Sequence, residues 1–458
     1  MLSFARGLSF GAKSPNEPYD VVLAKMTTAT TSQRQILLFW LPLAASWTLM
    51  GMEGPILQAI IARLPNLATQ LAAFGIVMSV EIAIESPVIM LLATSTALVT
   101  NAQSYYTLRR FMIWVNLLVT LVAFLVAFTP LYRLLVSTLM GIPTHIAEAA
   151  RPGMKVMTFW SAAIGFRRFQ QGVLIRQGQT RWIGYGTMVR LISSAGTGIL
   201  LAVLVPLPGV YIASISLVAG VALEALFIGW AARPTVARIL SWPGQGNGEI
   251  LSFNDVARYH APLAATSLLT LLIQPLIGAG LARMQFPEEN LAAWPVVWGV
   301  LFIFRSPAFA LPEAIITLIS ERRLLDPVRQ FCRRVGIASS LALLILTASP
   351  LLTLYLRYVA GLPDSLSRFV VPGLVLGVFI PLVNSMHSWY RGLLMVGRLT
   401  GVIYWSMALG LAVAALVIFV GVKLRAPGVA TGVTAMIASM LAEIYYLRKR
   451  SNSVIVQI

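Results

Sequence analysis

The chain has 458 residues, 58% of them hydrophobic and 11% charged, with a mean hydropathy of +0.82. That is more apolar sequence than a soluble core needs, which excludes a water-soluble globular fold. The 34 basic and 16 acidic residues give a formal charge of +18; they are scattered over short loops between apolar runs, so the preference for positive charge on cytoplasmic loops explains them and nucleic acid is not an expected partner.

Residues 1–34 are polar, carry Arg6, Lys13, Lys25 and Arg34, and lack the apolar core of a cleavable signal. They read as a cytoplasmic tail. Twelve apolar runs long enough to cross a bilayer follow, at about 35–61, 69–100, 109–136, 147–176, 181–205, 208–232, 255–283, 289–320, 328–357, 366–396, 399–422 and 427–447. The expected fold is an all-α polytopic membrane protein. Its expected domains are a six-helix lobe over 35–232, a cytoplasmic linker over 233–254, a second six-helix lobe over 255–447 and a cytoplasmic tail over 448–458. Cys332 is the single cysteine, which excludes an internal disulfide.

The two lobes repeat each other. Adding 220 takes Pro42, Leu43, Ala44 and Ala45 to Pro262, Leu263, Ala264 and Ala265, and Pro55 to Pro275. Ala62 and Arg63 return as Ala282 and Arg283, Ser86 and Pro87 as Ser306 and Pro307, Gly141 and Pro143 as Gly361 and Pro363, and Gly172 as Gly392. One deletion later, Glu224 meets Glu443. Such self-similarity marks a duplicated unit. Because each unit has an even number of spans, both enter the membrane from one side, related by a pseudo-twofold axis along the membrane normal. Pro55, Pro87, Pro275 and Pro307 are expected kinks at equivalent depths. Most loop arginines and lysines fall on the side of the N-terminus, so both termini are expected in the cytoplasm of a plasma-membrane, or bacterial inner-membrane, protein.

An ionised side chain at the bilayer centre costs roughly 2.5–3.5 kcal/mol on insertion scales, so those present are expected to face a cavity or a partner. The acids in spans are Glu53, Glu81, Glu85, Glu224, Glu313 and Glu443; the bases are Lys155, Arg167, Arg168, Arg190, Arg305 and Arg391. Glu85 and Arg305 are repeat partners, each before a Ser-Pro step, and the symmetry would place them face to face across a central cleft, as a gating salt bridge or a permanent one. Glu81 shares a helix face with Glu85, a pairing that suits proton coupling, although the nearby arginines could equally stabilise both. Glu53, between Gly51 and Gly54, reads as a coupling residue or a core hydrogen-bonding group. Arg167, Arg305 and Arg391 with His387 would line a cationic cavity for an anionic substrate, because guanidinium forks match carboxylate and phosphate oxygens; helix-end arginines obeying the charge rule are the alternative. Glu224 and Glu443 read as structural groups pairing within their lobes.

The segment FWLPLAASWTLMGMEGPILQAIIARLPNLATQLAAFGIVMSVEIAIESP at 39–87 and QQGVLIRQGQTRW at 170–182 resemble the progressive ankylosis protein family, within the multidrug and toxic-compound extrusion (MATE) and flippase superfamily. The resemblance covers about 35–450. It implies a MATE-like pair of lobes rocking about a central cavity, powered by an ion gradient, H+ or Na+, or by the substrate's own gradient. For the ankylosis branch it implies export of pyrophosphate, nucleotides or organic acids such as citrate. The first-helix aspartate that couples cations in many MATE exporters is missing here; Glu53 is the nearest acid.

No P-loop, paired metal-spaced histidines or intramembrane aspartate pair is present, so neither an enzyme nor a cofactor or metal site is expected. The expected function is a monomeric secondary carrier of an anionic solute. The competing readings are a proton- or sodium-coupled organic-cation antiporter, a lipid-linked precursor flippase, and a passive channel or scaffold.

Overall fold

The computed structural model describes residues 33–241, 251–319, 324–397 and 399–457. Twelve helical spans run antiparallel through it. In the first lobe α1 is Gln33–Ile61, α2 is Leu67–Ile84 continued by Ser86–Leu98, α3 is Ala102–Phe128, α4 is Thr144–Met157 continued by Trp160–Arg176, α5 is Arg181–Leu204 and α6 is Gly209–Ser241. In the second, α7 is Phe253–Leu281, α8 is Pro287–Arg305 continued to Leu318, α9 is Leu325–Ala348, α10 is Asp364–Val396, α11 is Thr400–Lys423 and α12 is Gly428–Gln457. Eleven are long and apolar enough to cross a membrane unaided. The other is α4, which is broken after Met157 and carries Arg151, Lys155, Arg167 and Arg168. The chain is a multi-pass membrane protein, as the hydropathy requires.

The breaks are repeated too. α2 breaks around Glu85 and α8 passes through a 3-10 turn, Ser306–Ala310, so both Ser-Pro steps interrupt their helices. α4 breaks at Thr158 and Phe159, and α10 has its 3-10 turn at Gly377–Phe379. Pro55 lies within a continuous α1, whereas Pro275 lies three residues after the break in α7 at Leu272. Past the far ends of α3 and α9, π-helical turns at Arg133–Leu139 and Tyr355–Val359 lead into Gly141 and Gly361, both at φ +71°. An L side chain is strained there, which explains why glycine survives in both copies.

Three boundaries differ from expectation. α3 starts at Ala102, not near 109, because Asn101 and Ser104 form a capping box: Ser104 N donates to Asn101 Oδ1 at 2.9 Å and Asn101 N to Ser104 Oγ at 3.0 Å. Asn101→Ala is expected to cost about 1 kcal/mol, readable as a small fall in the apparent Tm of detergent-solubilised protein. α6 and α12 run past the expected lobe ends at 232 and 447, to Ser241 and Gln457. The tail up to residue 32 and residues 242–250 of the expected linker lie outside the described residues.

A further difference concerns which lobe holds α1. Ile36, Trp40 and Ala44 are buried in the core of the second lobe, where the Trp40 ring meets Phe331 edge-on at 5.4 Å and its Nε1 donates to the Pro307 carbonyl at 3.1 Å. Only further along does α1 return to α5 of its own lobe. α7 crosses in the same way, packing on α2 and α3 of the first lobe, with His260 Nδ1 2.9 Å from Thr94 Oγ1. The far halves of α2 and α8 press together, and Gly75 allows it: a Cβ there would sit 2.6 Å from the Pro295 ring.

Candidate functional site

Each lobe buries a charged cluster around the acid on its last helix. In the first lobe Arg167 of α4 donates through Nη1 to Glu224 of α6, and Gln171 Nε2 reaches the other carboxylate oxygen at 3.1 Å. One layer away, Arg190 of α5 grips Glu53 of α1 through both Nε, at 3.0 Å, and Nη2, and Ser194 Oγ donates to the same carboxylate. All four charged groups are at least nine-tenths buried. A two-point guanidinium–carboxylate fork is the arrangement that best offsets the loss of water around both ions.

The second lobe keeps the plan and changes the residues. His387 stands where Arg167 stands, and its Nε2 lies 2.8 Å from Glu443 Oε2, with Ser439 Oγ at 3.4 Å from the other oxygen. The position of Arg190 becomes Gly410, and a Cβ there would fall 2.3 Å from Glu443 Oε1, so the carboxylate uses the vacated space. Gln171 becomes Arg391, which lies in the field of Glu443. Arg305, at the break in α8, also feels Glu443 and donates to Asn384 Oδ1 at 3.1 Å. Its guanidinium sits over the rings of Trp298 and Phe309, at 5.3 and 5.0 Å. Among the described residues the Nε atoms of Arg305 and Arg391 are buried without a hydrogen-bond partner.

The structure therefore brings Arg305, Arg391 and His387 together and leaves Arg167 in the other lobe with Glu224. The expected ion pair between Glu85 and Arg305 is not formed. Glu85 looks into its own lobe, towards Ser161 and the field of Arg167, Arg190 and Arg168, and Arg305 looks into its own. The symmetry sets the two at equal depth but does not oblige them to face the axis; each turns to the opposite charge within reach. Glu81 and Glu85 are both fully buried, and among the described residues their carboxyl oxygens accept no well-formed hydrogen bond. Glu53, by contrast, is saturated by Arg190 and Ser194. Glu224 and Glu443 do pair within their lobes. Arg168 turns from the Glu224 pair towards Gln171, at 3.4 Å.

Sequence reasoning missed the Glu53–Arg190 fork, the Asn384 contact and the aromatic seat of Arg305. It also missed a pair of crossed contacts at the far end. Arg63, at the end of α1, donates to the carbonyls of Tyr358 and Val359 at 2.7 and 3.1 Å; its repeat partner Arg283 donates to those of Leu139 and Met140 at 2.7 and 2.5 Å. Each arginine thus caps the π-helical turn of the opposite lobe. Glu288 adds Thr69 Oγ1 at 2.6 Å and His145 Nε2 at 3.2 Å across the same seam. The identity of Arg63 and Arg283 was the available signal.

No protein-family model matches the chain, and no curated protein matches its sequence. Solved structures match nearly all of it. A transporter of the MOP superfamily from Pyrococcus furiosus, described as having a binding pocket of reverse polarity that suggests a different function, aligns over 96% of this chain and 99% of its own, with TM-score 0.63 and 14% identity. An outward-facing multidrug resistance MATE family transporter of the same superfamily gives the same coverage, TM-score and identity. The lipid II flippase MurJ, in an inward closed conformation, aligns over 92% of this chain and 89% of its own, with TM-score 0.64 and 10% identity. At such identities the likeness establishes the fold, which is that of the MATE and MurJ transporters.

Proposed function

We propose that this chain is an alternating-access carrier of an anionic solute, such as pyrophosphate, a nucleotide or an organic acid, in the manner of the progressive ankylosis family. The observation that carries the proposal is the second-lobe cluster: Arg305 and Arg391 lie in the field of one carboxylate, Glu443, and keep buried Nε donors without partners among the described residues. A buried guanidinium with unused donors is costly unless an oxyanion visits it. The helix breaks in α2, α4, α8 and α10 support this reading, because secondary carriers commonly bind their ligands beside interrupted helices. Arg305, Arg391 and His387 are assigned to substrate binding. Arg167, whose Nε is likewise buried without a partner among the described residues, contributes chiefly its field, since its Nη1 is held by Glu224. Glu81 and Glu85 are the coupling or gating candidates, and Glu53, the third of that group, holds α1 to α5. The loop charges support termini on the cytoplasmic side.

Glu81 and Glu85 also favour a second reading, a cation-coupled organic-cation antiporter, because two adjacent buried acids that form no ion pair among the described residues suit a cationic ligand. Proteoliposome flux separates the two. Saturable uptake of radiolabelled pyrophosphate, citrate or ATP is expected, falling at least about tenfold in Arg305→Ala, the loss of roughly 1.4 kcal/mol or more that one charge-assisted contact represents. Proton- or sodium-driven movement of a cationic dye with no anion flux would establish the antiporter instead. Release of a fluorescent lipid diphosphate to the opposite leaflet would establish a flippase.

A further inference from the structure

From the way the two lobes differ at one repeated position, we infer that His387 is the site of a coupling proton, and that proton and anion cross in the same direction. This deepens the anion-carrier reading and rests on it.

The first lobe answers its acid with an arginine, Arg167, which is charged at every physiological pH. The second lobe places His387 at the same point against Glu443, and an imidazole is the side chain whose charge changes near neutrality. A carboxylate only accepts, so the neutral ring must carry its hydrogen on Nε2, facing Glu443 at 2.8 Å. Proton uptake then falls on Nδ1 and leaves that hydrogen bond in place. The pair is therefore able to change charge without coming apart, which the arginine pair cannot do.

The groups around it fix the sign. Glu443 comes from α12, Arg305 from α8 and Arg391 from α10 itself; α11 offers Gly410, α9 offers Cys332 behind Ser385, and α8 also carries Glu313 further along. Counting Arg305, Arg391 and Glu443, the cluster has one net positive charge while His387 is neutral and two when it is protonated. An anion bound at Arg305 and Arg391 therefore favours the proton on His387, and the proton favours the anion by the same factor, because binding free energies are reciprocal. Mutual stabilisation loads both on one face and releases both on the other. With one proton per anion, one pH unit of gradient supports up to about tenfold accumulation of the anion.

The experiment uses the full chain in liposomes, with the membrane potential clamped at zero and radiolabelled pyrophosphate as the probe. Wild-type protein should accumulate pyrophosphate towards tenfold from an acidic exterior, and a protonophore should reduce this to simple equilibration. In His387→Arg, which copies the first lobe, and in His387→Gln, both of which alter the binding cavity and should slow entry, the steady-state ratio of internal to external pyrophosphate should fall to one, because that ratio is set by coupling and not by affinity. The probe's own titration is identical in all three. Accumulation by His387→Arg equal to the wild type, or wild-type accumulation indifferent to the protonophore, overturns the inference while leaving an anion carrier. If neither pyrophosphate, citrate nor ATP moves at all, the anion reading falls and takes the inference with it.

Discussion

Arg190→Met should be among the most damaging single substitutions in the protein. It would leave the Glu53 carboxylate buried with only Ser194 to answer it, and removing one partner of a buried ion pair costs about 3–5 kcal/mol. Glu53→Leu should do comparable harm by stranding the guanidinium. The double variant, Glu53→Leu with Arg190→Met, should recover most of the loss, because two apolar side chains replace two charges that needed each other. Apparent Tm in detergent and the fraction of monodisperse protein after size exclusion give the cycle. Additive losses in the double variant would mean that the two side chains do not act as a pair.

The second large effect concerns which end of the molecule is closed. Arg63 and Arg283 make four hydrogen bonds across the lobe seam at the far end, to carbonyls exposed by the π-helical turns. These must break for the far end to open. Charge-assisted bonds to backbone carbonyls, discounted for solvent, contribute about 1 kcal/mol per arginine, so Arg63→Ala with Arg283→Ala should shift the balance of open to closed by about 30-fold towards far-end opening. Double electron–electron resonance between labels on the far ends of α2 and α8 would read the shift directly. Unchanged distance distributions would relegate the two arginines to capping their neighbours.

The sequence made the duplicated plan visible because duplication leaves residues in register: prolines, glycines and arginines returned at one offset, and the helix breaks and left-handed glycines then appeared in both lobes. The partnerships were hidden for a physical reason. Glu53 and Arg190 lie on α1 and α5, and spacing along the chain says nothing about which faces of two distant helices meet. The missed pair and the wrongly expected Glu85–Arg305 pair share that cause, since depth can be read from hydropathy and azimuth cannot. The grouping of Arg305, Arg391 and His387 depended on the same unknown azimuths. Likewise, the burial of Trp40 in the second lobe could not be read from a span that sits among first-lobe residues.

The crossed arginines have a bearing on how such a protein could arise. Since each belongs to one half and grips the other, a six-helix ancestor carrying a single arginine at this position would have gained both grips at once by pairing with a copy of itself, as any twofold interface does. Fusion of two such genes would then preserve a closure already in use. After fusion the halves became free to differ, and where the first carries Arg167 and Arg190 the second carries His387 and Gly410.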